Sequence, residues 1–155
     1  MSKAFTKEPD GDEAGDDLPE RPVSEHPNFV TAEGLRAIDG EIARLRAELA
    51  AVQGDADRTL AARLARDLRY WSQRRSTAQL VDPPVASGMV QFGSRVTVER
   101  QDGRRQTFRI VGEDEADPAR GSISHVSPMG AALLRQEEGD VVLVAGGEVE
   151  IVAVE

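Results

Sequence analysis

The side chains that could do chemistry in this sequence gather between residues 54 and 75. Gly54-Asp55-Ala56-Asp57-Arg58-Thr59 sets two carboxylates two positions apart beside a guanidinium. Arg58, Arg63, Arg66, Arg69, Arg74 and Arg75 follow, with Asp67 as the only acid among them. Acids at a helix start can accept hydrogen bonds from exposed N–H groups and favour the helix dipole, so Asp55 and Asp57 have a purely structural reading as caps. The arginine row has two readings, a solvated helix face or a surface for nucleic acid or an acidic protein channel. Other chemistries lack their residues. Without cysteine there is no disulfide, thiol nucleophile or thiolate zinc site. His125 has no second His or Cys nearby and reads as packing or surface. No nucleophile–base pair, phosphate-cradling glycine loop or metal cluster is legible, so a self-contained enzyme is not expected.

The elements that must position these residues are two helices within Glu33–Leu80, folded back at Gly54-Asp55. Leu35, Ile38, Ile42, Leu45, Leu49 and Val52 recur at alternating spacings of three and four, the seam of a coiled coil. Leu60, Leu64, Leu68 and Trp71 form the answering stripe, with Ala61, Ala65 and Ala78 filling in. Thr31 is the expected N-cap of the first helix. Gly54 suits its end because it accepts positive φ, and Asp55, Asp57 or Thr59 is expected to cap the second. So short a connection forces the helices antiparallel, with arms of roughly 30 Å that project.

The 155 residues allow one ordinary domain or two small ones, and 4% aromatic content makes any core mainly aliphatic. Residues 1–28 carry Asp10, Asp12, Glu13, Asp16 and Asp17 without apolar periodicity, and are expected to be a disordered acidic tail that solubilises or masks. Met-Ser-Lys-Ala-Phe leads into this acidic run without an apolar h-region, and no apolar run approaches the ~20 residues of a membrane helix. A soluble cytoplasmic protein with no membrane partner is expected. The net charge of −9 argues against duplex DNA as the main partner, and no sequence-specific DNA binding is expected. Phe29 and Val30 are positioned to staple the helix base to the second domain.

After Leu80 the pattern changes. Val81-Asp82-Pro83-Pro84 stops the helix. From Gly88 the period becomes two, in Arg95–Arg100 and Arg105–Val111 on either side of Asp102-Gly103, a strong hairpin signal. Asp114, Glu115 and Asp117 belong to an acidic loop expected to be solvated. Ser122–Val126 reads as a short strand. Ser127-Pro128 opens a short helix, Met129–Leu134, with Ser as N-cap and Pro at its first position. Val141–Val144 and Glu148–Val154 close the sheet. The domains are therefore a tail (1–28), a hairpin (29–82) and an α+β domain (83–155) of twisted antiparallel strands with one short helix.

Several stretches resemble the bacterial Gre-type transcript-cleavage factors, GreA and GreB. They are Val90-Gln91-Phe92-Gly93-Ser94-Arg95-Val96-Thr97-Val98, Phe108 through Asp117, Ile123 through Leu134, Glu138-Gly139-Asp140 and Gly146-Gly147-Glu148. The resemblance covers about residues 29–155, and the hairpin matches in architecture more than in sequence. It implies a coiled-coil hairpin followed by an FKBP-like domain. That domain would dock on the rim of the RNA polymerase secondary channel, with Ser127, Pro128 and Met129 in the docking segment. The hairpin would enter the channel, bringing Arg58, Arg63, Arg66 and Arg69 toward polymerase and the nascent RNA 3′ end. Acidic tip residues would help hold the polymerase's second Mg²⁺ and its water for two-metal hydrolysis of backtracked RNA. The protein needs no cofactor of its own in this scheme, and a monomer is expected.

At the tip, the family pattern is Gly-Asp, two residues, then Glu-Asn. Here Asp55 matches the Asp and is the candidate metal ligand. Arg58 and Thr59 occupy the Glu and Asn positions, and Asp57 adds an acid one position early. A cation where a carboxylate should meet Mg²⁺ opposes metal binding. By the same comparison each arm is about two helical turns, ~11–15 Å, shorter than in GreA. The resemblance leaves two functions open: an elongation factor that stimulates cleavage, or a non-cleaving channel regulator that competes with GreA, GreB or DksA-like proteins. A peptidyl-prolyl isomerase would want an aromatic pocket floor, and this domain offers only Phe92 and Phe108. A dimerising coiled coil is disfavoured by the short turn.

Overall fold

The computed structural model describes residues 18–54 and 57–155. Two 20-residue helices, α1 (Ala32–Ala51) and α2 (Arg58–Thr77), form the hairpin, each about 30 Å long at helical rise. Thr31 caps α1 as its position predicts, its hydroxyl oxygen accepting from Gly34 N at 3.0 Å. Ile38, Ile42, Leu45 and Leu64 are buried in the seam. Leu35, Leu68 and Trp71 are half-buried against Val30, Ile38 and Ile42 at the hairpin base. Toward the tip the seam thins: Leu49 and Val52 are half-buried and Leu60 is 42% exposed. No third layer covers a two-helix hairpin there. The chain leaves α1 at Val52, and Gly54 follows with φ +74°, the left-handed turn that favours glycine.

The base of the hairpin is closed by a two-stranded parallel sheet, β1 (Phe29–Val30) with β2 (Gln79–Leu80). Two residues are too few to show a period, so this pairing is invisible in the sequence. The rest is a five-stranded sheet of β3 (Arg95–Arg100), β4 (Arg105–Val111), β5 (Ser122–Ser124), β6 (Val141–Val144) and β7 (Gly147–Val154), in the order β5-β4-β3-β7-β6. One helix, α3 (Pro128–Leu133), is started by Ser127. The expected all-antiparallel sheet needs one correction: β5 runs parallel to β4, Ile110 beside Ile123. The loop from Gly112 through the 3-10 turn Pro118–Arg120 carries the chain back before β5 begins, and three residues cannot announce a direction. The alternating residues Val96, Val98, Ile110, Val149 and Ile151 meet Val90, Ile123, Leu133 and Val142 in a second core, separate from that of the hairpin.

The expected disordered stretch 1–28 also divides. Residues 1–17 lie outside the described residues. Residues 18–28 form an extended strap without helix or strand, lying against α2. Polar contacts order it, and apolar periodicity does not register those.

Candidate functional site

Hairpin and globular domain are joined by a buried polar cluster. Arg74 on α2 is 2% exposed, although it stands in the row expected to be a basic face. Its Nε donates to Asp114 Oδ2 at 2.5 Å, and its Nη2 donates to Asn28 Oδ1 at 2.8 Å. Asn28 Nδ2 donates in return to the Arg74 carbonyl oxygen at 2.7 Å and to Thr77 Oγ1 at 3.1 Å. Tyr70 Oη donates to Asp114 Oδ1 at 2.6 Å. Burial, together with that bond, pushes the Tyr70 phenol up to about 12, so it remains a donor across the neutral range. Glu113 Oε2 lies 3.7 Å from Arg74 Nη2, close enough for attraction but without a hydrogen bond.

The neighbouring contacts extend this joint. Thr31 Oγ1 donates to Glu115 Oε2 at 2.6 Å, so the cap of α1 is tied to the same loop. Phe29 packs against Phe92 and His125 with ring centroids 6.0 and 5.5 Å apart, which is the expected staple. Gly112 is required here because a Cβ would fall inside contact distance of the Phe29 carbonyl oxygen. The loop of Asp114 and Glu115 is therefore a clamp, correcting its expected solvated state. Asp114 finds Tyr70 and Arg74 on α2 and Glu115 finds Thr31, partners that no local pattern reveals, whereas Asp117 pairs locally with the exposed Arg120. Arg74 itself carried a signal: three residues after Trp71, it falls where the apolar stripe should continue. A cation at a core position asks for a buried acid.

His125 is buried between aromatic rings, as a packing residue, and its Nε2 has no hydrogen-bond partner. Burial holds its pKa below the ordinary value of 6.5, against the pull of Glu113.

Asp55 lies outside the described residues. Asp57 sits at the N-cap position of α2, but its side chain makes no capping hydrogen bond. Arg58 and Arg63 are exposed. Arg66 reaches Asp67 Oδ1 at 3.1 Å, Arg69 holds Glu20, and Arg75 Nε reaches Asp39 Oδ1 at 2.7 Å. The arginine row thus divides into the buried Arg74, paired Arg66, Arg69 and Arg75, and the two arginines nearer the tip. Ser127 Oγ accepts from Gly130 N at 3.1 Å and donates to the Ser124 carbonyl oxygen at 2.6 Å, so it holds the start of α3. Pro128 is exposed beside it, and Met129 is half-buried against the core. Among the described residues no three His, Cys, Asp or Glu side chains gather as a metal site, and no helix is long and apolar enough to cross a membrane.

Comparison with known proteins places this architecture. Residues 85–155 match the family "Transcription elongation factor, GreA/GreB, C-term". The chain is 36% identical over 134 positions to transcription elongation factor GreA of Desulfovibrio desulfuricans, covering 74% of this chain and 83% of that protein. It is 33% identical over 156 positions to transcription elongation factor GreB of Neisseria meningitidis serogroup B, covering 85% of this chain and 96% of that protein. An alignment of that length on 85% of this chain means that the GreB protein has residues with no counterpart here. Among solved structures, GreA factor homolog 1 (Gfh1) of Thermus thermophilus aligns with 84% of this chain and 99% of its own, at 22% identity and a TM-score of 0.42. With relatives of this identity aligned over most of their length, the chain belongs to the GreA/GreB family of transcription elongation factors.

Proposed function

We propose that this protein binds RNA polymerase at the secondary channel and modulates elongation with its hairpin. The globular domain docks through the start of α3 at Ser127, Pro128 and Met129, of which Pro128 is the exposed one, and the hairpin points toward the polymerase active centre. The observation that carries this reading is the buried Arg74–Asp114–Asn28 joint. It fixes the direction of a rod about 30 Å long relative to the domain that docks, so docking one places the other. Asp57 adds support, because its carboxylate makes no cap bond and is available to a partner at the tip. In the cleaving mechanism Asp55 and Asp57 would lend oxygens to the polymerase's Mg²⁺, which would supply the hydrolytic chemistry in the polymerase's own site.

A second mechanism is favoured by one feature of the tip. Arg58 stands where the family pattern has a carboxylate, and its charge opposes a metal ion at that point. Arms of 20 residues add to this by limiting the reach. In that mechanism the hairpin fills the channel and competes with cleaving factors. A purified backtracked elongation complex with labelled RNA decides between them. If the tip works as a ligand, Asp55→Ala and Asp57→Asn lower 3′ cleavage by ~10–100-fold while binding persists. Binding without cleavage, with inhibition of GreA-driven cleavage, assigns the competitor role. Failure to bind polymerase removes both.

A further inference from the structure

The strap of residues 18–28 has a direction. Asn28 sits against Arg74 and Thr77 at the base of α2, while Arg21 and Glu20 lie nearer the tip. Glu20 takes Arg69 in a fork, its two oxygens accepting from Nε at 3.0 and 3.1 Å and one also from Nη2 at 2.5 Å. Arg69 thereby holds the Glu20 carboxyl below its ordinary value, with Arg66 adding attraction. The Arg21 guanidinium stacks 3.9 Å above the Tyr70 ring and pairs with Asp67 at 3.5 Å. Cation–π stacking and ion pairing thus fasten the strap to one face of α2. Residues 1–17 precede the strap in the sequence. Those residues carry Glu8, Asp10, Asp12, Glu13, Asp16 and Asp17 against only Lys3 and Lys7. From Arg69 to Arg58 is only ~16 Å along the helix, and 17 residues of extended chain reach ~55 Å.

We propose that the N-terminal segment is a tethered anionic competitor: the strap seats it on α2, and residues 1–17 cover the face of Arg63 and Arg66 until an external partner displaces them. The occupant is this chain's own segment, chosen by charge complementarity and by where the strap ends. The lock does not rest on the polymerase reading. Its consequence does: a partner that engages this face must first remove the segment, so the segment lowers apparent affinity.

The chain has no cysteine, so Ala14→Cys in the full-length protein carries a single nitroxide label. The label is expected to broaden amide resonances of α2 around Arg63 and Arg66. The broadening should fade in high salt, which shortens the screening length from about 10 Å at 0.1 M to about 3 Å at 1 M. It should also be lost in Arg63→Gln/Arg66→Gln. Absence of broadening, or broadening indifferent to salt and to these substitutions, overturns the lock. In a second arm the six acids are replaced by Asn or Gln in the full chain, and affinity for core RNA polymerase is measured. A rise of ~5-fold or more supports masking, and an unchanged affinity overturns it. If neither form binds polymerase, the polymerase reading fails while the label result still decides the lock.

Discussion

His125 shows how one buried side chain links packing to pH. Its ring is held between Phe29 and Phe92, and Glu113, His26 and Arg74 supply the charges around it. Glu113 favours the imidazolium, while His26 and Arg74 oppose it, and the largest influence is burial, which also opposes it. The folded state therefore releases this proton more readily than the unfolded chain does. Above the unfolded value of about 6.5 both states are neutral at this site and it contributes nothing to the pH dependence. As pH falls through that value the unfolded chain takes up the proton first, and stability is lost until the folded pKa is passed. Urea midpoints measured between pH 7 and pH 5 should fall for the native protein, and fall less for His125→Phe, which keeps an aromatic ring in the slot. Equal slopes in the two proteins would remove His125 from the account. The sequence left this histidine, without a metal partner, as packing or surface, and the structure makes it packing. Its aromatic neighbours come from residues 29 and 92, and nothing local relates those positions.

At the level of elements, the start of α1 does two jobs with one hydroxyl. Thr31 Oγ1 accepts from Gly34 N and donates to Glu115, so the helix cap is also a tie to the loop after β4. Thr31→Val keeps the shape and removes both bonds. Loss of a cap costs about 1 kcal/mol, and stranding the half-buried Glu115 carboxylate adds to it. The expected destabilisation is ~1.5–2.5 kcal/mol by chemical denaturation, whereas Thr31→Ser should be near neutral. A valine variant as stable as the native protein would mean that water replaces both bonds without loss. The cap itself was legible, because Thr31 immediately precedes an apolar-periodic run. The second bond was not, since Glu115 reads locally as one more acid in an acidic loop. The same contrast runs through the fold. Long periodic elements were readable: the two helices, the β3–β4 hairpin and the helix opened by Ser127-Pro128. The two-residue strands β1 and β2 were not, and β5 was readable as a strand but not in its direction, so both parallel pairings were missed. At the candidate site, the tip acids and the arginine row could be picked out by residue type. Apart from Arg66, which pairs with its neighbour Asp67, the division of that row into buried, paired and tip-proximal arginines depended on tertiary partners at residues 20, 39 and 114.

The whole molecule is two hydrophobic clusters coupled through a polar joint. Val30, Ile38 and Ile42 anchor the hairpin, and the nine buried residues of the globular core make the other cluster. Between them stand Phe29, Gly112, the Thr31–Glu115 bond and the Arg74 cluster, so cooperativity between the halves passes through few groups. Asp114 is the centre of that joint: it accepts from both Arg74 and Tyr70 and is itself only 11% exposed. Removing its carboxylate in Asp114→Ala leaves a guanidinium that is 2% exposed without its closest counter-charge. Breaking one partner of a buried pair costs about 3–5 kcal/mol, and here the loss falls on the coupling. Calorimetry of the native protein should therefore give one transition, with matching calorimetric and van't Hoff enthalpies. In Asp114→Ala the hairpin, whose buried cluster is the smaller, should melt first and the globular core later. Asp114→Asn retains an acceptor and should show a smaller separation. A single transition in the alanine variant, merely shifted to lower temperature, would mean that the Thr31–Glu115 bond and the Phe29 contacts suffice to couple the halves. The direction of the hairpin would then depend on them, and the Arg74 joint would only add stability.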